Sequence, residues 1–274
     1  MTVAPPLEIT RDGPVLRLTL NRPSKRNALN DALAEQLEDT LHGIDDSVHA
    51  IVIDAKGPHF CAGLDLSEQK DRGPLEVHKV SRRWHAIKER LQFGPPVIAS
   101  LHGAVIGGGF ELAATAHCRI ADRSTFFQLP EARRGLFIGG GGSVRIGRLI
   151  GLSRLTELML TGRCIDAEQA ERIGLIHHLV AEGTADTAAL ETAHTIARNA
   201  PLVNYLIVQA LPRIADMSAA DGLFAESLAA ALSHASPQAR DRIQDFLGRS
   251  NSASNGEEPL SGLPSRTGGP REPI

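Results

Sequence analysis

The chain has 274 residues, enough for one large domain or two small ones, and 42% of them are hydrophobic. The 29 Lys and Arg residues nearly balance the 32 Asp and Glu residues, and the net charge is −3. This balance leaves no global basic field that would favour nucleic acid or an anionic membrane. Three scattered cysteines, Cys61, Cys118 and Cys164, argue against a disulfide framework and fit a reducing compartment.

The sequence predicts neither a signal peptide nor a membrane span. Residues 1–11 lack the apolar core of a signal peptide. Residues 91–110 are uncharged and long enough to cross a bilayer, but they contain Pro95, Pro96, His102 and several glycines. Such a composition is typical of a short strand followed by a glycine loop. We therefore expect a soluble, cytoplasmic protein.

The first half of the chain predicts alternating strands and helices. A period-two pattern predicts a strand over residues 15–20, and leucines at every fourth position predict an amphipathic helix over residues 30–44. We expect further strands at residues 50–55, 96–101, 118–121 and 125–127, loop and helix over 68–90, and a helix over 110–116. This alternation is typical of an α/β layered core.

The second half predicts mostly helices, which dock on the first half or on another subunit. The expected helices span residues 149–160, 166–173, 184–199, 201–211, 221–234 and 237–247. Asp166 suits a helix N-cap, and Gly174 suits a C-terminal stop. From Arg249 onward Ser, Gly, Pro and Asn dominate, which predicts a disordered tail because little apolar surface offsets the entropy of ordering.

The glycine-rich segment of residues 103–111 is the first candidate site. A glycine loop that enters a helix N-terminus exposes unpaired backbone N–H groups, which suit a developing negative charge. A tight turn with close helix packing explains the same glycines. The chain contains neither GxxxxGK[ST] nor GxGxxG, so these two modes of phosphate binding are excluded.

Residues 60–66 and two glutamates add further candidates. Small residues at 61–63 would let a ligand approach the backbone and would make the Leu64 N–H a donor, although these residues alone favour a structural turn. Glu111 and Glu131 each fit ordinary helix-start chemistry. As a pair they also fit the addition or elimination of water, which needs one group to take a proton and another to give one. The absence of HExxH, GxSxG and close His/Cys clusters predicts no metal site and no nucleophile elbow.

Taken together, these segments resemble the crotonase (enoyl-CoA hydratase/isomerase) family. The matching segments occur in the family's order: NRP at 21–23, RNAL at 26–29, FCAGLDL at 60–66, GAVIGGGFELA at 103–113, PE at 130–131, GGGG at 139–142, LIG at 149–151 and LTGR at 160–163. The resemblance covers roughly residues 15–248. It implies an α/β fold in which residues 1–200 form a spiral of ββα turns. Residues 201–248 would form a helical region that builds trimers or hexamers, followed by the tail at 249–274.

The resemblance also implies the chemistry of the site. The N–H groups of Leu64 and Gly108 would form an oxyanion hole for an enolate, Glu111 would activate water for attack at Cβ, and Glu131 would protonate Cα. The presence of both acids favours a hydratase of fatty acid metabolism that needs no metal and no cofactor beyond the CoA of its substrate. The alternatives are an enoyl-CoA isomerase, an aryl-propenoyl-CoA hydratase-lyase, and a non-catalytic acyl-CoA-binding protein.

Contacts with CoA and departures from the family pattern complete the prediction. The resemblance implies CoA or substrate contacts by Lys25, Arg26, Ala62, Leu64, Asp65, Gly107 and Gly108, and contacts with a neighbouring subunit's CoA by Phe246 and Arg249. For Lys25 and Arg26, solvated surface charge is the alternative.

The departures from the family pattern are His117 where an acid is common, Ile138 in place of a proline, and Gly140 and Ser143 where Ala and Thr are frequent. They leave the acyl group of the substrate open.

Overall fold

The structure is a computed structural model that describes residues 4–253, with side chains described for residues 4–247. Within that part, the strands are β1 (Leu7–Asp12), β2 (Val15–Leu20), β3 (Ala50–Ala55), β4 (Val97–Leu101), β5 (Ala104–Ile106), β6 (Cys118–Asp122), β7 (Phe126–Gln128), β8 (Cys164–Asp166) and β9 (His178–Val180). The α-helices are α1 (Asp31–His42), α2 (Leu66–Gln69), α3 (Pro74–Phe93), α4 (Gly108–Ala113), α5 (Gly142–Ile150), α6 (Leu152–Thr161), α7 (Ala167–Arg172), α8 (Ala185–Ala197), α9 (Pro201–Ile214), α10 (Ala219–His234) and α11 (Pro237–Ala253). Two short 3-10 helices span Pro23–Lys25 and Glu131–Arg134.

Six strands form the larger sheet, in the order β1-β2-β3-β4-β6-β9. All neighbours are parallel except β1 and β2, which form an antiparallel hairpin. Parallel strands covered on both faces are apolar throughout, and every residue of β3 and β4 is buried. Because side chains alternate along a strand, Ile51 and Ile53 of β3 enter the main core, whereas Ala50 and Val52 pack in a second cluster with alanines of α8.

The smaller sheet has the order β5-β7-β8, and helix α4 follows its strand β5 directly. Strand β5 lies inside the segment that the sequence indicates only as a glycine loop. Its three residues stand between Gly103 and Gly107, too few to show an alternating pattern. They pair in parallel with β7, which leads to the 3-10 helix at Glu131–Arg134. Because β5 and β7 are parallel, the segments that follow them begin at the same end of this sheet. These segments are Gly107 with helix α4, and Pro130 with the 3-10 helix.

Other elements differ from the sequence expectation at glycines and at short strands. The single helix expected over residues 149–160 is two helices, α5 and α6, because Gly151 adopts φ +85° and ψ 146°, which no helix contains. Helix α4 begins at Gly108 rather than at residue 110. The pattern does not predict strands β1, β8 and β9. Strand β1 pairs locally with β2, whereas β8 and β9 pair with β7 and β6 from distant parts of the chain.

The C-terminal helices α9–α11 carry few buried side chains. Among the residues of these helices whose burial is described, up to 247, only Asn204 and Val208 of α9 and Gly222 of α10 are buried. Helix α11 continues to Ala253, past the expected start of the tail, and residues 254–274 lie outside the described part. The division into a core, a helical region and a tail stays a prediction. Within residues 4–253, no helix is long and apolar enough to cross a membrane.

Candidate active site

The segment between β3 and α2 carries the first candidate amide, that of Leu64. This segment runs beside β5: the Cys61 N–H donates to the Ala104 carbonyl at 3.0 Å, and the Ile106 N–H donates to the Cys61 carbonyl at 2.9 Å. The pairing holds Leu64 close to the end of β5. Within residues 4–247, the Leu64 N–H donates to no protein acceptor.

The Leu64 amide lies beside the N-terminus of helix α4. A Cβ built on Gly108 would lie 3.4 Å from the Leu64 nitrogen, and one built on Gly63 would lie 3.4 Å from the Gly108 nitrogen. Gly108 is the first residue of α4, where a backbone N–H has no acceptor within the helix. Two backbone donors therefore stand side by side, an arrangement that can stabilise an oxyanion.

Glu111 lies in the first turn of α4, and only 2% of the residue is exposed. The Gly140 N–H donates to both carboxylate oxygens, at 2.8 and 3.0 Å, and the Gly142 N–H donates to Oε1 at 2.9 Å. The ammonium of Lys88 lies 3.8 Å from Oε2. All of these neighbours are hydrogen-bond donors or a cation, and they hold the carboxylate in one orientation.

Glu131 opens the 3-10 helix that follows Pro130. Its carboxylate lies against Gly107, since a Cβ built there would overlap Oε1 and would lie 3.5 Å from Cδ. Its Oε2 is buried without a hydrogen-bond partner in the described part of the chain. Burial raises the pKa of the Glu131 carboxyl, and the nearby charge of Glu111 raises it further. This environment favours the protonated form of Glu131 more than water does.

A cavity of about 100 Å³ joins these groups. It brings together six residues predicted from the sequence: Ala62, Leu64, Gly107, Gly108, Glu111 and Glu131. The rest of the lining is mainly apolar, with Leu66, Ile106, Pro130, Leu136, Phe137 and Ile138, together with Gly63, Arg134 and Gly139. Two amide donors and two carboxyl groups therefore face one cavity with apolar walls, as acid–base chemistry beside a carbonyl requires.

The motif at residues 21–29 supports the first amide from outside the cavity. Asn27 is 1% exposed and adopts φ +54°, a left-handed conformation that Asn tolerates better than most residues. Its side chain accepts from the Arg22 N–H at 2.8 Å and donates to the carbonyls of Lys56 and His59 at 2.8 Å. These hydrogen bonds of Asn27 connect its loop to the segment that leads to Leu64.

Three residues predicted to contact CoA lie outside the cavity lining. Lys25 and Arg26 are exposed, and the Arg26 carbonyl accepts the Ala62 N–H at 2.9 Å. Asp65 is engaged within the protein, because it accepts from the Ser67 hydroxyl at 2.6 Å and pairs with Arg22 at 2.9 Å. The Ser67 hydrogen bond and the Arg22 guanidinium lower the pKa of Asp65.

The two residues assigned to a neighbouring subunit's CoA both lie on α11. Phe246 is 72% exposed and does not line the cavity. The side chain of Arg249 lies outside the described residues. Because their implied role needs a second subunit, it stays a prediction.

The family model described as "Enoyl-CoA hydratase/isomerase" matches residues 10–250, which include every element around the cavity. This chain belongs to the enoyl-CoA hydratase/isomerase family. The family predicted from the sequence motifs is confirmed.

Curated relatives in the enoyl-CoA hydratase/isomerase family are similar over most of the chain. The 2,3-dehydroadipyl-CoA hydratase of Escherichia coli is 34% identical over 244 residues, which cover 88% of this chain and 95% of that protein. The short-chain-enoyl-CoA hydratase of Clostridium acetobutylicum is 34% identical over 209 residues, covering 75% and 80% of the two chains.

Solved structures of the family confirm the predicted crotonase fold. A crystal structure from Rhodopseudomonas palustris superposes with a TM-score of 0.88 and 46% identity, and covers 92% of this chain and 99% of its own. The enoyl-CoA hydratase of Bacillus anthracis superposes with a TM-score of 0.85 and 29% identity, covering 89% and 96%.

Sequence reasoning overlooked one residue beside the two glutamates, the buried Lys88. The signal was present, because Lys88 shares the face of α3 with buried Trp84, Ile87 and Leu91 at helical spacing. A lysine on an apolar helix face is expected to have a buried partner.

Within residues 4–247, no group of three or more His, Cys, Asp or Glu side chains is arranged to hold a metal ion.

Proposed function

We propose that this chain is an enoyl-CoA hydratase, which reversibly adds water to a 2-enoyl-CoA thioester. The observation that carries the proposal is the convergence of two backbone donors, at Leu64 and Gly108, with the carboxyl groups of Glu111 and Glu131 on one cavity. The named activities of the Escherichia coli and Clostridium acetobutylicum relatives support it.

The two amides supply electrostatic stabilisation. Attack of water at Cβ moves electrons through the double bond to the thioester carbonyl, whose oxygen becomes an enolate oxyanion. The N–H groups of Leu64 and Gly108 would donate to that oxygen. Removal of one preorganised donor of this kind costs about 2.7–4 kcal/mol of transition-state stabilisation. A backbone donor is also placed by the fold and needs no reorganisation during the reaction.

The two glutamates divide the proton transfers by their environments. Glu111, surrounded by N–H donors and the Lys88 ammonium, is suited to be the ionised base that takes a proton from water as the C–O bond forms. Glu131, whose carboxyl pKa is raised by burial, is suited to give its proton to Cα as the enolate collapses. In dehydration each group acts in the opposite sense.

Binding of the CoA portion is part of the same proposal. The cationic side chains of Lys25 and Arg26 are exposed beside the segment that carries Ala62, where they are free to meet the phosphates of CoA. Gly107 and Gly108 leave the backbone open to the thioester. We also propose that the protein is cytoplasmic, that it acts in fatty acid metabolism, and that it needs no cofactor.

An absorbance assay tests the proposed reaction. We expect the purified chain to remove the conjugated thioester absorbance of crotonyl-CoA and to form the 3-hydroxyacyl-CoA, identified by mass as the adduct with one water. An isomerase would instead create this absorbance from a 3-enoyl-CoA. Release of an aldehyde from an aryl-propenoyl-CoA would indicate a hydratase-lyase, and acyl-CoA binding without turnover of a straight, branched and aryl panel would contradict an enzyme.

We propose in addition that the chain forms a homotrimer or hexamer through its C-terminal helices. The apolar residues of helix α10 are spread around the helix rather than confined to one face, and such a helix is normally buried. In the single chain its side chains Leu223 and Phe224 are 67% and 66% exposed. A second copy of the chain is the occupant that the family resemblance implies.

Sedimentation analysis tests the oligomer. We expect the wild-type chain to sediment as a trimer or hexamer, and the double variant Leu223→Glu/Phe224→Glu to shift toward monomer because charged side chains oppose burial at an apolar interface. The exposed Leu75 on α3 gives the matched control, and Leu75→Glu should leave the oligomer unchanged. A monomeric wild-type protein would contradict the proposal.

A further inference from the structure

The ammonium of Lys88 is buried beside Glu111 and has no contact with solvent. Lys88 is 0% exposed and lies on the buried face of α3. Lysine is almost never fully buried unless a partner compensates the loss of hydration. The partners of this group therefore indicate why the chain keeps a lysine here.

Three groups surround the ammonium. It donates to the Gly140 carbonyl at 3.1 Å, it lies 3.8 Å from Oε2 of Glu111, and it lies 5.7 Å from the centroid of the Trp84 ring. The ring face attracts a cation at this distance. Burial lowers the pKa of Lys88, and the Glu111 carboxylate opposes that effect.

Other charged or titratable groups near the pair come from three further elements. Arg145 of α5 acts on both Lys88 and Glu111, but its Nε donates to Gln92 at 2.8 Å rather than to the carboxylate. Glu131 acts on Glu111 from the 3-10 helix. Cys61 faces Lys88, but burial raises the pKa of its thiol to about 12, so it stays neutral. Lys88 is consequently the cation in direct contact with the Glu111 carboxylate.

Gly140 makes room for this contact. A Cβ built on Gly140 would overlap both the Lys88 Nζ and the Glu111 Oε2, and would lie 3.0 Å from the Glu111 Cδ. The family resemblance leads one to expect an alanine at this position. The glycine at 140 and the lysine at 88 therefore fit together, since an alanine side chain at 140 would force the ammonium or the carboxylate to move.

We propose that Lys88 is a positioning residue for hydration, whose ammonium contacts the Glu111 carboxylate and orients it toward the cavity. Lys88 itself does not line the cavity and acts through Glu111. The inference rests on the proposed function, because it assigns Glu111 the role of base. It adds a role for a buried lysine that does not itself reach the substrate cavity.

A double-mutant cycle with Lys88→Met, Glu111→Gln and the combined variant tests this inference. We expect Lys88→Met to lower the kcat of crotonyl-CoA hydration on the order of 10²-fold, with little change in KM. In the Glu111→Gln background the same change should have almost no further effect on kcat, because Lys88 acts only through the missing carboxylate. Lys79→Met, an exposed lysine on the same helix, is the control and should keep the wild-type rate.

The pH profile distinguishes positioning from a general structural role. Loss of the buried cation removes a favourable interaction with a carboxylate anion, so the acidic limb of kcat/KM should move to higher pH in Lys88→Met. An unchanged acidic limb, or equal effects of Lys88→Met in both backgrounds, would overturn the inference. If Lys88→Met does not fold, Lys88→Gln takes its place in the cycle, since its amide can still donate to Gly140.

Unfolding measurements keep the inference separate from the proposed function. The same four proteins are unfolded in urea, and the coupling between residues 88 and 111 is read from the free energies of unfolding. If the wild-type chain hydrates no enoyl-CoA, the proposed function fails. A favourable coupling would then still support the pair, whereas an absent coupling would overturn it as well.

Discussion

Glu111→Gln is expected to lower the kcat of enoyl-CoA hydration by about 10²–10⁴-fold, the usual contribution of a positioned general base. The amide has nearly the shape of the carboxylate, and its oxygen can still accept the N–H groups of Gly140 and Gly142. It cannot take a proton from water. Acyl-CoA affinity should stay close to that of the wild type, because the backbone donors and the apolar walls of the cavity are unchanged.

Glu131→Gln separates a hydratase from an isomerase in the same experiment. A hydratase needs both carboxyl groups, so each single variant should lose most activity on crotonyl-CoA. If the chain were an isomerase, activity on a 3-enoyl-CoA should survive Glu111→Gln better than Glu131→Gln. Glu191→Gln, an exposed position on α8, is the control and should retain full activity. Wild-type hydration in Glu111→Gln would contradict the proposed mechanism.

Gly107→Ala is expected to impair both folding and catalysis. Gly107 has φ +52° and ψ −120°, a conformation that costs an L-residue about 1–3 kcal/mol. The added Cβ would also overlap Oε1 of Glu131 and force that carboxylate away from the cavity. Because small displacements of a catalytic group can cost on the order of 10²-fold, we expect at least that loss in kcat. Urea unfolding and the crotonyl-CoA assay measure the two effects.

Gly13→Ala separates backbone strain from the clash with Glu131. Gly13 also has a positive φ, +55°, but a Cβ there meets no atom within 4 Å. This variant should lose about 1–2 kcal/mol of stability and keep the wild-type kcat. A Gly107→Ala protein that is destabilised but fully active would show that Glu131 need not occupy the observed position.

The sequence by itself determined the family and six of the residues that line the cavity, including both glutamates and both candidate amide donors. Residues that act through their backbone can be recognised without coordinates. Glycine at 107 and 108 and small residues at 61–63 allow the main chain to approach a ligand closely. The buried strand β3 was equally readable, since its continuous apolar run is typical of a strand covered on both faces. Local pattern was sufficient in these cases.

The tertiary structure alone decided how the two carboxyl groups differ. In sequence, Glu111 and Glu131 are both glutamates near a helix start. Folding surrounds the first with N–H donors and the ammonium of Lys88, and leaves the second against Gly107 with one buried oxygen unpartnered. Proton affinity depends on desolvation and on charges within a few ångströms. Those neighbours come from segments far apart in the chain, so no local pattern could reveal that the two glutamates have different surroundings.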